Sequence, residues 1–309
     1  MNPSAVPFDR WMTTGARRPV RNRALFVVDR GPLTSPGQTP VLLIHGFPTS
    51  AYDWSPFIEP LATERRVIAC DLLGFGLSDK PWPHTYSIFE NTDYVIQLAA
   101  DLGLQRAHIV SHDMGDTVVQ EMLARWLERP SALPFEPASV TMLNGGVLVE
   151  RIRPIFSQRI LRLPVIGDVV GRFPAPASRL LFNRSMVIIA GSRKPPKDEL
   201  DVQFRLLARD GGMRLLPNII QYMREREVYR GRWRHGLLGH PFPMRLVWGD
   251  RDPINAYDIV DEIVHERPAT EAVRVAGAGH YVQLEEPHQV LQAIREFITR
   301  HDTAPAAVA

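Results

Sequence analysis

The stretch Ile109–Val118, "IVSHDMGDTV", joins an apolar run of strand length to a run with helical spacing. Ser111 and Gly115, two residues to either side of Asp113, are both small. A strand-to-helix elbow this tight presses its flanks against neighbouring backbone, so bulky side chains there clash while the tip residue stands clear above the sheet. The pattern is that of a nucleophile turn with a carboxylate at its tip. In isolation such a pattern is more often an aspartate that caps a helix, and the surrounding chain reverses that reading.

Outward from this turn, short apolar runs have the length and β-branched content of buried parallel strands: "VLLI" (41–44), "RVIAC" (66–70), "AHIV" (107–110), "SVTML" (139–143), "MRLVW" (244–248) and "AVRV" (272–275). Helical spacing relates Val118, Val119, Met122, Leu123, Trp126 and Leu127, and again Val290, Leu291, Ile294, Phe297 and Ile298. Strand alternating with helix predicts an α/β sheet. The alternation stops after "NGGVL" and resumes at "FPMRLVWGD"; between them, helix-like segments are separated by Pro and Gly. The expected organisation is a core of residues 1–146 and 242–309 carrying an inserted helical cap, 147–241. The closing "TAPAAVA" is expected to fray.

A chain of 309 residues, 45% hydrophobic, is long enough to bury a substantial core. It has no apolar run of signal-peptide length in its first twenty residues and none long enough to span a membrane, so a soluble, cytoplasmic protein without stable membrane insertion is expected. Cys70 is the single cysteine, which excludes an intramolecular disulfide and a cysteine-based zinc site. Glycine-rich phosphate loops in a strand–helix context are absent; no nucleotide, metal or other cofactor is expected, and no nucleic acid. Residues 147–241 hold 18 Arg or Lys against 8 Asp or Glu in a chain whose net charge is only +2. These cap arginines, scattered among apolar residues, read as a solvated exterior. The sequence leaves the oligomeric state open.

Three further segments give the turn its context. "LLIHGFPTS" follows a strand and can set the backbone N–H of Phe47 beside that of Met114, a two-donor oxyanion hole. "VWGDRDP" puts Asp250 and Asp252 just after a strand, and "VAGAGHYV" puts His280 in a glycine-rich loop after the last strand. The chain order is nucleophile, acid, histidine.

With these residues the chain resembles α/β-hydrolases of the epoxide hydrolase and haloalkane dehalogenase superfamily over about Arg23 to Arg300, through "HGFPTSAYDW", "DLLGFGLSDKP", "SHDMGD", "GDRDP" and "GAGH". Within it the chain is most similar to proteins of the mesoderm-specific transcript type, through "LGFGLSDKPWPHTYSIFE", "LNGG" and "QYMRERE" as well. The resemblance implies the α/β-hydrolase fold, a mostly parallel central sheet flanked by helices with an inserted cap. It implies Asp113 as nucleophile, His280 as general base and Asp252, in the "G-x-x-D-P" position, as the carboxylate orienting it; Asp250 is the competing choice. Asp71, Asp79 and Lys80 match a structural loop beneath the site.

A carboxylate is already anionic at neutral pH, so it can displace a leaving group at saturated carbon and form an alkyl ester. His280 then activates water against that ester. The leaving group decides the activity. In the dehalogenases that the chain resembles, halide is held by side-chain donors directly after the nucleophile and after "HG"; here those positions are Met114 and Phe47, which cannot donate from their side chains. An epoxide needs a proton for its opening oxygen. Tyr222 and Tyr229 are the lid phenols, although the family's tyrosine position, two residues after Asn218, is Ile220. Tyr281 is read as a pocket wall, Trp54 as filling space under the "HGFP" loop or lining the pocket, His45 as a brace for that loop and His112 as a buried hydrogen-bonding residue. The expected activity is epoxide hydrolysis of a small apolar substrate with water. The alternatives are a haloalkane dehalogenase with an atypical halide site and a non-catalytic ligand-binding member of the fold.

Overall fold

Each of the apolar runs forms a strand of one eight-stranded sheet: β1 (Ala16–Val20), β2 (Arg23–Arg30), β3 (Val41–Ile44), β4 (Val67–Cys70), β5 (Arg106–His112), β6 (Glu136–Leu143), β7 (Met244–Gly249) and β8 (Glu271–Val275). The structure, a computed structural model, describes residues 6–33 and 37–302; "TAPAAVA" lies outside them. The strand order is β1-β2-β4-β3-β5-β6-β7-β8. β3 to β8 run parallel, and β1 and β2 add antiparallel at one edge. β3, β4 and β7 are buried along their whole length, as continuous apolar runs require, with both faces covered. Alternate residues feed two cores: Leu42, Ile44, Ile68 and Cys70 point to one, Val41, Leu43, Val67 and Ala69 to the other.

The core helices are α1 (Phe8–Met12), α2 (Ser55–Ala62), α3 (Ile88–Asp101) and α4 (Met114–Glu128). Between β6 and β7 come α5 (Phe156–Leu161), α6 (Pro164–Gly171), α7 (Ala175–Ile189), α8 (Lys197–Ala208), α9 (Leu216–Ile219) and α10 (Tyr222–Gly239), with no strand among the described residues. The chain closes with α11 (Asp258–Glu266), α12 (Val282–Glu285) and α13 (Pro287–Arg300). α10 lies along α4: a Cβ on Gly236 would fall 2.6 Å from the Gln120 carbonyl, and Trp233 Nε1 donates to the buried Glu121 at 2.9 Å. This ties the inserted helices directly to the helix that follows Asp113.

The chain reverses its winding direction between β4 and β5, which flank β3 on opposite sides. In parallel sheets the crevice beyond the carboxyl ends of such strands is where ligands bind. Asp113 ends β5 there, and the Phe47 loop ends β3 beside it.

Candidate active site

The register sets Ile44 opposite Ser111, so the loop after β3 and the elbow after β5 are neighbours. Asp113 has φ 49° and ψ −109°, a left-handed conformation that an L-residue adopts only under strain. The surrounding backbone leaves no room for alternatives. A Cβ on Gly46 would lie 2.6 Å from that of Asp113, and one on Gly115 would lie 2.6 Å from the Ile44 carbonyl oxygen. Ser111 is small and useful as well: its hydroxyl donates to Asp116 Oδ1 at 2.5 Å. Burial holds the Asp116 carboxyl well above the usual range, against that hydrogen bond.

The Phe47 N–H donates to Asp113 Oδ2 at 3.0 Å. Met114 opens α4, so its N–H belongs to the first turn and has no intrahelical acceptor. The other carboxylate oxygen, Oδ1, lies 4.0 Å from His280 Nε2. On the far side of the ring, His280 Nδ1–H donates to Asp252 Oδ2 at 2.8 Å. The same Asp252 oxygen accepts Asn144 Nδ2 at 2.9 Å, and its Oδ1 accepts the N–H groups of Ile254 and Asn255. Asp250 instead accepts the Gly277 N–H at 2.8 Å and pairs with Arg274, fastening the loop that leads to His280.

Burial disfavours a charged His280, yet Asp252 and then Asp113 outweigh it and push the ring up to about 9. The neighbouring histidines go the other way. Burial lowers His45 and His112 to about 4, so both are neutral braces. His45 accepts the Leu72 N–H and donates to the Gly46 carbonyl, and His112 Nε2 donates to the His280 carbonyl at 2.9 Å. In the structural loop, Asp71 accepts the N–H groups of Ala51 and Leu77, while Lys80 donates to carbonyls of Gly76 and Arg209.

Two residues at the site carry no role in the sequence expectations. Arg226, on α10, is 2% exposed, donates to Thr117 Oγ1 at 2.8 Å and to the Asp113 carbonyl at 3.1 Å, and places Nη2 3.7 Å from Asp113 Oδ1. Gly146 makes room for it, since a Cβ there would lie 2.6 Å from the guanidinium. Asn144, at φ 45°, bridges Asp252 to the Gly249 N–H. Their signals are present in "QYMRERE" and "LNGG", but nothing local distinguishes Arg226 from the arginines around it.

Tyr222, four residues before Arg226 and on the same helix face, is 2% exposed. Its ring packs 5.9 Å from that of Phe47, with the Arg226 guanidinium 4.7 Å from its centroid. Burial, then Asp113, pushes its hydroxyl well above the ordinary value. Three sequence expectations are corrected. Tyr229 lies two turns further along α10, about 10 Å away; it is 40% exposed and packs on Phe89 and Trp233. Trp54 is fully buried against Phe57 in the core beneath the loop and is not among the residues lining the cavity beside His280. Tyr281 is a brace instead of a wall: its hydroxyl donates to the Phe47 carbonyl at 2.9 Å and its ring packs on His112 and His280.

A cavity of about 310 Å³ opens beside these groups, within the range of small-molecule sites. Phe47, Pro48, Ile254 and His280 form its core side, and the rest is largely apolar side chains of α5 to α9. Asp113 is one contact behind this wall, against the Phe47 amide and the His280 ring. Among the described residues no helix is long and apolar enough to cross a membrane, and no cluster of three His, Cys, Asp or Glu is placed to hold a metal ion.

Residues 41–293 match the family model described as "Alpha/beta hydrolase family". The chain is 34% identical over 300 residues to the mesoderm-specific transcript protein of Mus musculus, covering 93% of this chain and 87% of that one. It is 25% identical over 278 residues to epoxide hydrolase 1 of Caenorhabditis elegans, covering 84% and 65%. The fold superimposes on the haloalkane dehalogenase DbeA of Bradyrhizobium elkani USDA94 with a TM-score of 0.78 at 20% identity, covering 93% and 98%.

Proposed function

The chain belongs to the alpha/beta hydrolase family, and on that premise we propose that it hydrolyses a small apolar epoxide through an ester on Asp113. The observation that carries this reading is the division of labour between the two Asp113 oxygens. Oδ2 already accepts the Phe47 N–H, the position of a carbonyl oxygen in an oxyanion hole, while Oδ1 faces His280 and Arg226.

In the first step Oδ1 attacks a ring carbon of the epoxide and the carbon–oxygen bond breaks. Tyr222 gives its proton to the departing oxygen, with Arg226 beside the phenol to stabilise the phenolate. Alkylation cancels the Asp113 charge 4.0 Å from the ring, so the resting imidazolium gives its proton to the phenolate and His280 becomes a base as the ester forms. In the second step, His280 takes a proton from water, and the resulting hydroxide adds to the ester carbonyl. The negative charge falls on Oδ2, facing the Phe47 and Met114 amides. Collapse releases the diol with an oxygen from Asp113: the leaving alkoxide takes the proton of the new carboxylic acid, and the proton drawn from water stays on His280 beside the restored carboxylate.

A panel of aliphatic and aromatic epoxides, assayed for diols alongside haloalkanes assayed for halide, tests the reading. Diol formation is expected. Halide release from haloalkanes with no diol from any epoxide would make this a dehalogenase, and saturable binding of both classes without turnover would make it a binding protein.

A further inference from the structure

Large apolar side chains exposed singly are ordinary on protein surfaces, but a concentration of them marks an interaction face. Of the fourteen that are well exposed among the described residues, ten fall between residues 156 and 188, on α5 to α7 and their joins. α6 is turned the wrong way for a core helix. Val165, Ile166 and Val169 share an arc of about 100° and are 76%, 48% and 55% exposed. The opposite side is glycine: a Cβ on Gly167 would lie 2.4 Å from the Leu161 carbonyl oxygen, and one on Gly171 3.1 Å from that of Met213. The helix therefore packs inward through its smallest residues and presents its apolar ones outward.

This face is continuous with the cavity of the candidate active site. Phe156, Phe173 and Leu181 are exposed and also line that cavity, whose inner end is His280. The same stretch carries five arginines and one aspartate. Arg162 and Arg179 are paired, whereas Arg159, Arg172 and Arg184 form no ion pair among the described residues. An apolar surface set among uncompensated arginines needs a partner that is apolar in depth and anionic at its surface.

We propose that this face of α5 to α7 docks on an anionic lipid bilayer, seating the cavity mouth at the membrane interface. A second copy of the chain fits less well, because it would bring unpaired arginines against one another. The inference stands on the surface, independent of the reaction proposed above, and its test reads binding without turnover.

The test is co-sedimentation of the full chain with vesicles of phosphatidylcholine alone or containing about one-third phosphatidylglycerol. Binding to the anionic vesicles is expected, with at least tenfold weaker binding to the neutral ones. It is also expected to weaken as salt rises from about 0.1 M to about 1 M and the screening length falls to roughly 3 Å. Arg159→Gln with Arg172→Gln should cost about fivefold per arginine. Val165→Ser, Ile166→Ser and Val169→Ser together should cost at least tenfold, with circular dichroism unchanged; should that variant misfold, the arginine pair and the salt series decide. Wild-type protein left in the supernatant with anionic vesicles at low salt would overturn the proposal. So would a dimer, broken by the same serines, that binds no vesicle.

Discussion

Replacing Asp113 with asparagine mimics, in charge, the alkylation proposed for this residue, and its effect on His280 follows from the geometry. The Asp113 carboxylate lies 4.0 Å from Nε2 of a ring held charged up to about pH 9. At an effective dielectric of about 20, unit charges at that distance interact by about 4 kcal/mol, or roughly 3 pH units as an upper bound. Asp252, which hydrogen-bonds the ring directly, is the larger contributor. The Asp113 share therefore lies below the bound, and a fall in midpoint from about 9 to about 7 is expected in Asp113→Asn. At pH 7.5 the fraction of His280 able to act as a base would rise from roughly 3% to roughly three quarters. Asparagine keeps a carbonyl oxygen for the Phe47 N–H, so the elbow is preserved. Imidazole titration by nuclear magnetic resonance, with His280→Gln to assign the signal, gives both midpoints. A variant midpoint within about half a pH unit of the wild type would refute the coupling.

Other perturbations read the supports of the site. Arg226→Met removes a buried cation beside Asp113, whose carboxylate keeps His280 and the Phe47 N–H, so urea unfolding should show a loss of about 1–3 kcal/mol; a loss below about 0.5 kcal/mol would show that the Arg226 contacts are not formed in solution. Asn144→Ala deletes the buried hydrogen bonds to Asp252 and Gly249 and keeps a strained backbone, costing about 2–4 kcal/mol, whereas Asn144→Gly relieves the backbone and should recover about 1 kcal/mol. Equal losses in the two variants would remove strain from the explanation. Asp53 joins the segment after β3 to α8 by accepting Thr49 Oγ1 at 2.5 Å and Gln203 Nε2 at 2.7 Å, and burial, opposed by those bonds, pushes it up to about 8. With the folded value above an unfolded value near 4, its contribution is largest at low pH and is lost as pH rises from about 4 through about 8. Asp53→Asn should therefore gain about 4 kcal/mol relative to wild type between pH 5 and pH 9; parallel stability curves would contradict this.

The core was legible where one physical constraint acted alone. Strands buried on both faces are largely apolar, and "VLLI" and "VIAC" are apolar throughout. β1, "ARRPV", is an edge strand with four of its five residues exposed, so its charges hid it. The elbow was readable because close backbone approach restricts residue size on both sides of Asp113. Arg226 and Asn144 were not, because their roles come from partners 113 and 108 residues away. Tyr222 and Tyr229 look alike in sequence, and only the rise of two helical turns separates a phenol beside the elbow from one at the surface. The cap arginines, read as a solvated exterior, stand around apolar side chains that a helical pattern alone assigns to an interior.

The central claim is that Asp113 becomes covalently bonded to substrate before water does. One turnover with enzyme in excess over an epoxide that the panel identifies, run in ¹⁸O water, tests it directly by mass analysis of the diol and of the peptide bearing Asp113. The account predicts an unlabelled diol and one ¹⁸O in that peptide; label in the diol with none in the peptide would contradict it.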